Sequence, residues 1–330
     1  MAFDFAGRTA FITGGASGAG LGQAKVFGRA GCKVCIADIR ADAVEQALAD
    51  LRGEGIECHG IALDITDRAA FVRAADEAER ALGPVTLLFG TAGVSIFGPL
   101  EQATYADYDW MFGVNLGGVV NLMQTFVPRM IEHSQALEQQ SGSATNSALK
   151  QPGGSATNSA GHIVNTASLG AFFANSGSGI YSASKFAVHG ISMAMRDALK
   201  GYGIGVSVLC PANIKSNIAD SIRTRPAKYA TSGYAVDERE IAALHEIYSQ
   251  GMEPEELAAH VKAAIEDNRF YVIPYPEARG MLEANFQQVL DALPPADSDL
   301  EGQAKRKKAM MKYIEARREM DSERYGKATR

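Results

Sequence analysis

The stretch SLGAFFANSGSGIYSASK, residues 168 to 185, carries Ser168, Tyr181 and Lys185. If Tyr181 opens a helix, Lys185 lies one turn on, and phenol and ammonium project from one face. A free tyrosine has a pKa of about 10, and bringing it near neutrality so that it acts as a base is worth about 4 kcal/mol. A neighbouring ammonium can supply much of that. A hydroxyl such as Ser168, delivered from the end of the preceding strand, can hold a carbonyl or alcohol oxygen beside the phenol. The spacing therefore suits an acid/base pair acting on one substrate oxygen. Alone, a Y-x-x-x-K is more often a weak surface pair, so its meaning depends on the elements that position it.

Those elements begin with RTAFIT, residues 8 to 13, a short β-rich run, followed by GGASGAGLGQAKVF, a glycine-rich turn that opens into a helix. Such a strand-turn-helix binds phosphate: Gly14 allows the tight turn, Gly18 lets the backbone approach a pyrophosphate, and Gly20 permits close packing, with the anion on the helix N-terminus where Ser17 and Ala19 lie. A second strand, KVCIAD, ends in Asp38. A carboxylate there binds both ribose hydroxyls and repels a 2′-phosphate, which favours NAD over NADP. Arg40, two residues on, works against that preference.

The alternation continues with a helix over 41–52, a strand over 57–63, a helix over 68–82 and a strand over 85–89. Asp64 and Ile65, at a strand end, are placed to cap an adenine pocket. Ala92 and Gly93, in GTAG, supply a further backbone turn on the cofactor side. The stretch TYADYDWMFGVN, residues 104 to 115, leads into a helix reaching about Ile131, and Asn115 within it reads on pattern alone as solvated or core-bonded. A strand over 162–167 delivers Ser168. After the Tyr181 helix comes a sixth strand, GVSVLC, ending in Pro211 and the run ANIKS, which holds Ile214 and Ser216. Residues 213–250 read as a long irregular lid over a site, with Tyr229, Tyr234 and Tyr248 in it. A helix over 255–266 and a short strand over 269–273 close the core.

Two segments stand outside this rhythm. GSATNSA occurs at 142–148 and again at 154–160, within a Ser/Gly/Gln-rich stretch with almost no large apolar residue, so 134–160 reads as a flexible insertion. Residues 276–330 read as a helical extension with a basic tail: from Asp299 onward there are ten Lys or Arg against six Asp or Glu. A solvated helix packing on an acidic body or a neighbouring subunit accounts for that better than a dedicated partner site.

Composition sets outer bounds. A chain of 330 residues, 46% apolar, buries an ample core, and its net charge of −6 argues against a nucleic-acid-binding body. No apolar span is long enough to cross a bilayer and the N-terminus does not resemble a secretory signal, which points to the cytoplasm. The four cysteines, at 32, 35, 58 and 210, fit reduced thiols. Cys32 and Cys35 form a C-x-x-C, but on a strand they face opposite ways, and no metal site is expected.

Taken together, TGGASGAG, Asp64, Asn115, Ser168 and YSASK at 181–185 resemble the short-chain dehydrogenases/reductases, over roughly residues 5 to 275. The resemblance implies an α/β fold: a doubly wound, Rossmann-type parallel sheet of about seven strands with helices on both faces, forming one domain over 1–275. It implies a nicotinamide cofactor and a homodimer or homotetramer. By this resemblance Tyr181 transfers the proton, Lys185 lowers its pKa and binds the nicotinamide ribose, Ser168 positions the substrate oxygen, and Asn115 holds a water in a proton relay. Cofactor contacts would come from Gly14, Ser17, Gly18, Ala19, Gly20, Asp38, Asp64, Ile65, Ala92, Gly93, Tyr181, Lys185, Pro211, Ile214 and Ser216. The chain departs from the family's usual N-N-A-G at Gly90 and Thr91 and from its usual P-G at Ala212, which puts sheet and cofactor-loop geometry in question more than activity.

ATYADYDW, HIVNTASL and NIKS look further like the benzylic (Cα) alcohol dehydrogenases of bacterial lignin-dimer breakdown. That agrees with Phe97, Phe172, Phe173 and Ile214 as pocket candidates for an aromatic or apolar group, although the same aromatics suit a core. The expectation is an NAD-dependent oxidoreductase interconverting a hydrophobic secondary alcohol, benzylic in the closer resemblance, and its ketone. The alternatives are a steroid or 3-hydroxyacyl substrate, or a dinucleotide-sensing regulator that keeps the fold without the chemistry.

Overall fold

A computed structural model describes residues 3–141 and 160–325. Seven strands, β1 (Thr9–Thr13), β2 (Lys33–Asp38), β3 (Cys58–Ala62), β4 (Val85–Gly90), β5 (Gly161–Thr166), β6 (Ile204–Leu209) and β7 (Tyr271–Val272), form one sheet in the order β3-β2-β1-β4-β5-β6-β7. Every pairing is parallel. Parallel neighbours need crossover connections, and the helices that supply them cover the sheet's faces. TAFIT and VTLLFG are accordingly apolar almost throughout and buried at every position. The chain moves outward from β1 through β2 to β3, then returns to β1's other side with β4. This reversal opens a crevice beyond the C-terminal ends of β1 and β4, the ligand position in such sheets.

The crossovers are α1 (Gly18–Arg29), α2 (Ala41–Gly53), α3 (Arg68–Leu82), α4 (Tyr105–Phe112), α5 (Gly118–Ser141), α6 (Gly179–Leu199) and α8 (Pro254–Glu266), with α7 (Glu238–Ser249) inside the lid. Beneath β1 and β4 the core is aromatic. Phe11, Phe27, Phe71, Phe89 and Phe126 are all fully buried, with ring centroids 4.6 Å apart for Phe11–Phe126 and 4.7 Å for Phe27–Phe89. Truncating any one to alanine would cost about 3–5 kcal/mol.

Two stretches differ from the sequence expectation. The expected insertion at 134–160 starts later, because α5 continues to Ser141. Its added turns hold good helix formers, Gln135, Ala136, Leu137 and Glu138, and Ser134 is buried, donating from Oγ to the Tyr202 carbonyl at 2.7 Å. Residues 142–159, with nearly all of the twin GSATNSA copies, lie outside the described residues. The lid, expected to be irregular, contains α7, capped by Asp237 accepting from the Arg239 amide at 2.9 Å and burying Ile241.

The chain divides into two compact units, residues 1–277 and 278–330. The second holds α9 (Arg279–Asp291), with no buried residue, and α10 (Leu300–Tyr325), whose Glu301 and Lys305 pair at 2.7 Å one turn apart. Among the described residues no helix is long and apolar enough to cross a membrane.

Candidate active site

The crevice is a cavity of about 610 Å³, within the range of cofactor sites. At its floor Gly14 has a φ of +67°, and a Cβ there would lie 2.8 Å from Ala92 Cα, so the turn admits only glycine. A Cβ on Gly20 would collide with the Gly14 carbonyl, which is how α1 comes down onto the turn. Opposite, a Cβ on Gly18 would come within 2.9 Å of Ser216 Cβ. Ser216 Oγ is buried there without a hydrogen-bond partner. A helix N-terminus, a glycine cradle and an orphaned hydroxyl together fit a pyrophosphate.

Most residues expected to contact a dinucleotide line this one cavity: Gly14, Ser17, Gly18, Ala19, Gly20, Asp38, Asp64, Ile65, Ala92, Gly93, Ile214 and Ser216. Asp38, at the end of β2, is 8% exposed, and its carboxylate accepts from Arg40 Nε at 3.1 Å and Nη2 at 3.2 Å. The same Nη2 donates to Ser17 Oγ at 2.8 Å. Asp64 Oδ1 accepts from the Thr66 amide and hydroxyl. The turn after β4 hangs on a residue the sequence reading passed over: Thr13 Oγ1 accepts from the Thr91 amide at 3.0 Å and the Ala92 amide at 3.2 Å. Thr91, a departure from the family pattern, donates its own hydroxyl to Gln23 on α1 at 2.6 Å.

Tyr181, Lys185 and Pro211 do not line that cavity but form a cluster with Ser168 at the ends of β5 and β6. Ser168 Oγ accepts from the Gly170 amide at 3.0 Å, lies 3.4 Å from the Pro211 carbonyl and is near enough to the Tyr181 phenol to favour its ionised form. Lys185 is 4% exposed, its Nζ donating to the Thr166 carbonyl at 3.0 Å and standing 5.7 Å from the Tyr181 ring centroid. Gly93 joins the two regions. A Cβ there would lie 3.2 Å from Asn115 Oδ1 and 3.4 Å from Lys185 Nζ.

Asn115 sits in a π-helical turn, Gly113–Gly117, between α4 and α5. Such turns concentrate at functional sites because they offset the backbone by one residue. Its Oδ1 accepts from the Val94 amide at 2.9 Å, and its Nδ2 lies 3.0 Å from each of the Val94 carbonyl, Met111 Sδ and Ser184 Oγ. These contacts bond the side chain into the core. It ties the exit of β4 to the second turn of α6.

The electrostatics also differ from expectation. Tyr181 is half-buried as a residue, but its hydroxyl lies deep among protein atoms, and burial pushes it up to about 12, only partly opposed by Ser168. Burial likewise brings the Lys185 ammonium down to about 8. Burial is the largest influence on the Tyr181 proton, while the Lys185 ammonium donates to the Thr166 carbonyl. The Tyr248 phenol on α7 also bears electrostatically on Tyr181, a residue placed by a helix the sequence reading had as irregular.

Of the pocket aromatics, Phe97 stands beside Tyr181, ring centroids 5.9 Å apart. Phe172 does not; it packs against His189 at 4.9 Å and Tyr271 at 6.2 Å, in the core. Phe173 is half-buried and Ile214 lines the cavity. Cys32, Cys35, Cys58 and Cys210 are unpaired thiols, and no three His, Cys, Asp or Glu side chains cluster as metal ligands among the described residues.

Comparison with known proteins bears on this geometry. A family model described as short chain dehydrogenase matches residues 8–148 and 143–227. A C alpha-dehydrogenase from Sphingobium sp. strain SYK-6 is 52% identical over 311 residues, 94% of each chain. The apo form of LigD, from the same organism, superposes with a TM-score of 0.69 at 45% identity, covering 88% of this chain and all of LigD. A short chain dehydrogenase/reductase from Burkholderia phymatum, solved in complex with NAD, gives a TM-score of 0.76 at 30% identity over 89% of this chain and 98% of its own. With a family model spanning most of the sheet and a dehydrogenase half identical along nearly the whole length, the chain belongs to the short-chain dehydrogenases and is an oxidoreductase acting on alcohols.

Proposed function

We propose that the protein is an NAD-dependent dehydrogenase that interconverts a hydrophobic, benzylic secondary alcohol and its ketone. The observation that carries this is the gathering of Ser168, Tyr181 and the buried Lys185 in one cluster beside the Phe97 ring: two hydroxyls and an ammonium with an aromatic wall next to them. The likeness to a C alpha-dehydrogenase supports the benzylic position of the reacting carbon.

The nicotinamide dinucleotide, when bound, supplies or accepts the hydride. The glycine turn, Ser216 and the α1 N-terminus would hold its pyrophosphate, and Asp38 its ribose diol. The buried carboxylate favours NAD, and the Burkholderia phymatum relative in complex with NAD agrees. In the reducing direction Tyr181, with a pKa near 12, retains its proton at neutral pH and donates it to the carbonyl oxygen, while Ser168 donates to the same oxygen. In the oxidising direction the phenol must first ionise. Lys185 is the cation in the cluster, its Nζ 5.7 Å from the Tyr181 ring centroid, and a cation near the phenolate oxygen favours ionisation. Asn115 acts by position, fixing the distance between the cofactor turn and α6.

Phe186 (45% exposed) and Met193 (50%) on α6 support assembly as a homodimer or homotetramer, and the four unpaired thiols support a reducing, cytoplasmic setting. The test is steady-state kinetics with NAD on 1-aryl secondary alcohols against aliphatic alcohols of matched size, with Tyr181→Phe as control. Turnover of the aryl series should dominate and vanish in the control. Equal kcat/KM for both series would sink the benzylic assignment.

A further inference from the structure

The lid does more than face the substrate end of the crevice. Pro226, Lys228 and Tyr229 line the cavity together with Asp64, Ile65 and Thr66, on the β2–β3 side of the sheet, away from Ser168. We infer that residues 226–229 form a strap across the adenosine end of the cofactor site, and that Lys228 and Tyr229 are binding residues for the adenosine half of the dinucleotide. This rests on the dinucleotide-binding reading given above.

The strap is rigidly mounted. Arg225, 7% exposed, donates from Nη1 to Asp107 Oδ1 at 2.6 Å, and Asp107 on α4 is wholly buried. The same carboxylate accepts from the Thr104 amide at 2.8 Å, Ser232 Oγ at 2.7 Å and the Gly233 amide at 3.0 Å. Arg225 also lies over the Trp110 ring at 5.1 Å and bonds the Tyr229 carbonyl through Nε. The loop is therefore pinned to α4 on both sides of 226–229. With the Thr104 hydroxyl also donating at 2.9 Å, the buried carboxylate takes five donors and holds the loop in one arrangement, as a ligand-holding loop requires.

The strap's inner face carries groups suited to a nucleoside. Tyr229 packs against the Trp110 and Met111 cluster and also lines the cavity, and bases stack on aromatic side chains whatever their identity. Lys228 Nζ lies 3.7 Å from Asp64 Oδ2, 3.5 Å from Thr66 Oγ1 and 5.0 Å from the Tyr229 ring centroid. Its side chain is 54% exposed and that of Asp64 38%, so this pair is weak and readily exchanged for a ligand's polar groups. With Lys228 and Tyr229 above and Asp64 and Ile65 below, adenosine would be enclosed from two sides, and leaving would require the strap to give way.

The experiment measures equilibrium binding of ADP-ribose, of nicotinamide mononucleotide and of NADH to the full chain, and NADH release by stopped flow. It compares wild type, Lys228→Ala and Tyr229→Leu. Lys228 is exposed, so its variant should keep the wild-type melting temperature and remain a clean comparison should Tyr229→Leu fold poorly. Each variant should weaken ADP-ribose about five- to tenfold, speed NADH release by a similar factor and leave mononucleotide binding unchanged. Wild type that binds ADP-ribose, with Lys228→Ala indistinguishable from it in affinity and release, would overturn the strap alone. Wild type that binds neither ADP-ribose nor NADH would overturn the dinucleotide reading and the strap with it.

Discussion

Replacing Asp38 and Arg40 singly should move cofactor preference in opposite directions. The Asp38 carboxylate is 8% exposed at the end of β2 and held by two nitrogens of Arg40, which also reaches Ser17. A ribose diol placed there takes up to two charge-assisted hydrogen bonds, worth about 1.5–3 kcal/mol each. Part of that is offset because the carboxylate must release some of its contact with Arg40. We take about 3 kcal/mol as the net loss of NAD binding in Asp38→Ala, roughly a 100-fold fall in kcat/KM. NADP should change the other way. Its 2′-phosphate meets like charge at Asp38 in the wild type, whereas in Asp38→Ala it meets a free Arg40 guanidinium, so the NAD/NADP ratio should collapse toward or below one. Arg40→Ala removes the only cation contacting Asp38 among the described residues and should raise the ratio. The assay is kcat/KM for both cofactors in all three proteins at fixed ionic strength, since the Arg40 side is solvent-exposed and screened. Equal use of NAD and NADP by the wild type, or a ratio unmoved by Arg40→Ala, would refute the reasoning.

Tyr181→Phe should abolish turnover while NADH binding, followed by fluorescence titration, stays near wild type; substantial residual activity would remove the phenol from the proton path. Alcohol oxidation should rise with pH, because the Tyr181 proton, held near 12, must leave, while ketone reduction should decline above about pH 8 as Lys185 loses its proton; pH profiles of kcat/KM in both directions check this. His162, buried on β5 against Ser207 Oγ at 2.8 Å, has a pKa brought down to about 3 by burial, with Arg196 adding to the effect. The unfolded chain therefore binds a proton the folded one refuses, so stability present above about pH 6.5 is lost as pH falls toward 3, at up to about 1.4 kcal/mol per pH unit; His162→Gln should flatten that slope in urea melts. Asp107→Ala strands the buried Arg225 charge and should cost about 3–5 kcal/mol, read as a lowered melting temperature.

What could be read from the sequence was what short-range physics decides. Strands buried on both faces must be apolar along their length, so β1, β4 and β6 stand out without any partner in view. A turn requiring positive φ requires glycine, so Gly14 marks itself. Tyr181 and Lys185 share a helical face because helices repeat every 3.6 residues. What could not be read depends on distant contacts. Asp107 and Arg225 are 118 positions apart, and nothing near either announces the pair. Phe172 and Phe97 are both aromatics on loops, and only the packing of His189 against the first and Tyr181 beside the second separates core from pocket. A nearby cation leads one to expect a lowered pKa for Tyr181, whereas the desolvation that raises it has no sequence signature. The α7 helix is legible in the sequence: Asp237 followed by Ile241, Leu244 and Ile247 is a cap and an apolar stripe.

The proton chemistry and the dinucleotide site share more than proximity. Gly93 lines the cofactor cavity, and the space its missing side chain leaves is bounded by Asn115 Oδ1 and Lys185 Nζ. Asn115 in turn grips the Val94 backbone on one side and Ser184, adjacent to Lys185, on the other. A ligand settling against Gly93 therefore presses on the same atoms that decide where the Lys185 ammonium points. Its bond to the Thr166 carbonyl is a single contact, made by a group whose charge burial already disfavours. A few kcal/mol of new polar interaction on the cavity side is enough to redirect it, and that redirection would bring the cation to bear on the phenol. On this account filling the cofactor site would favour ionisation of Tyr181.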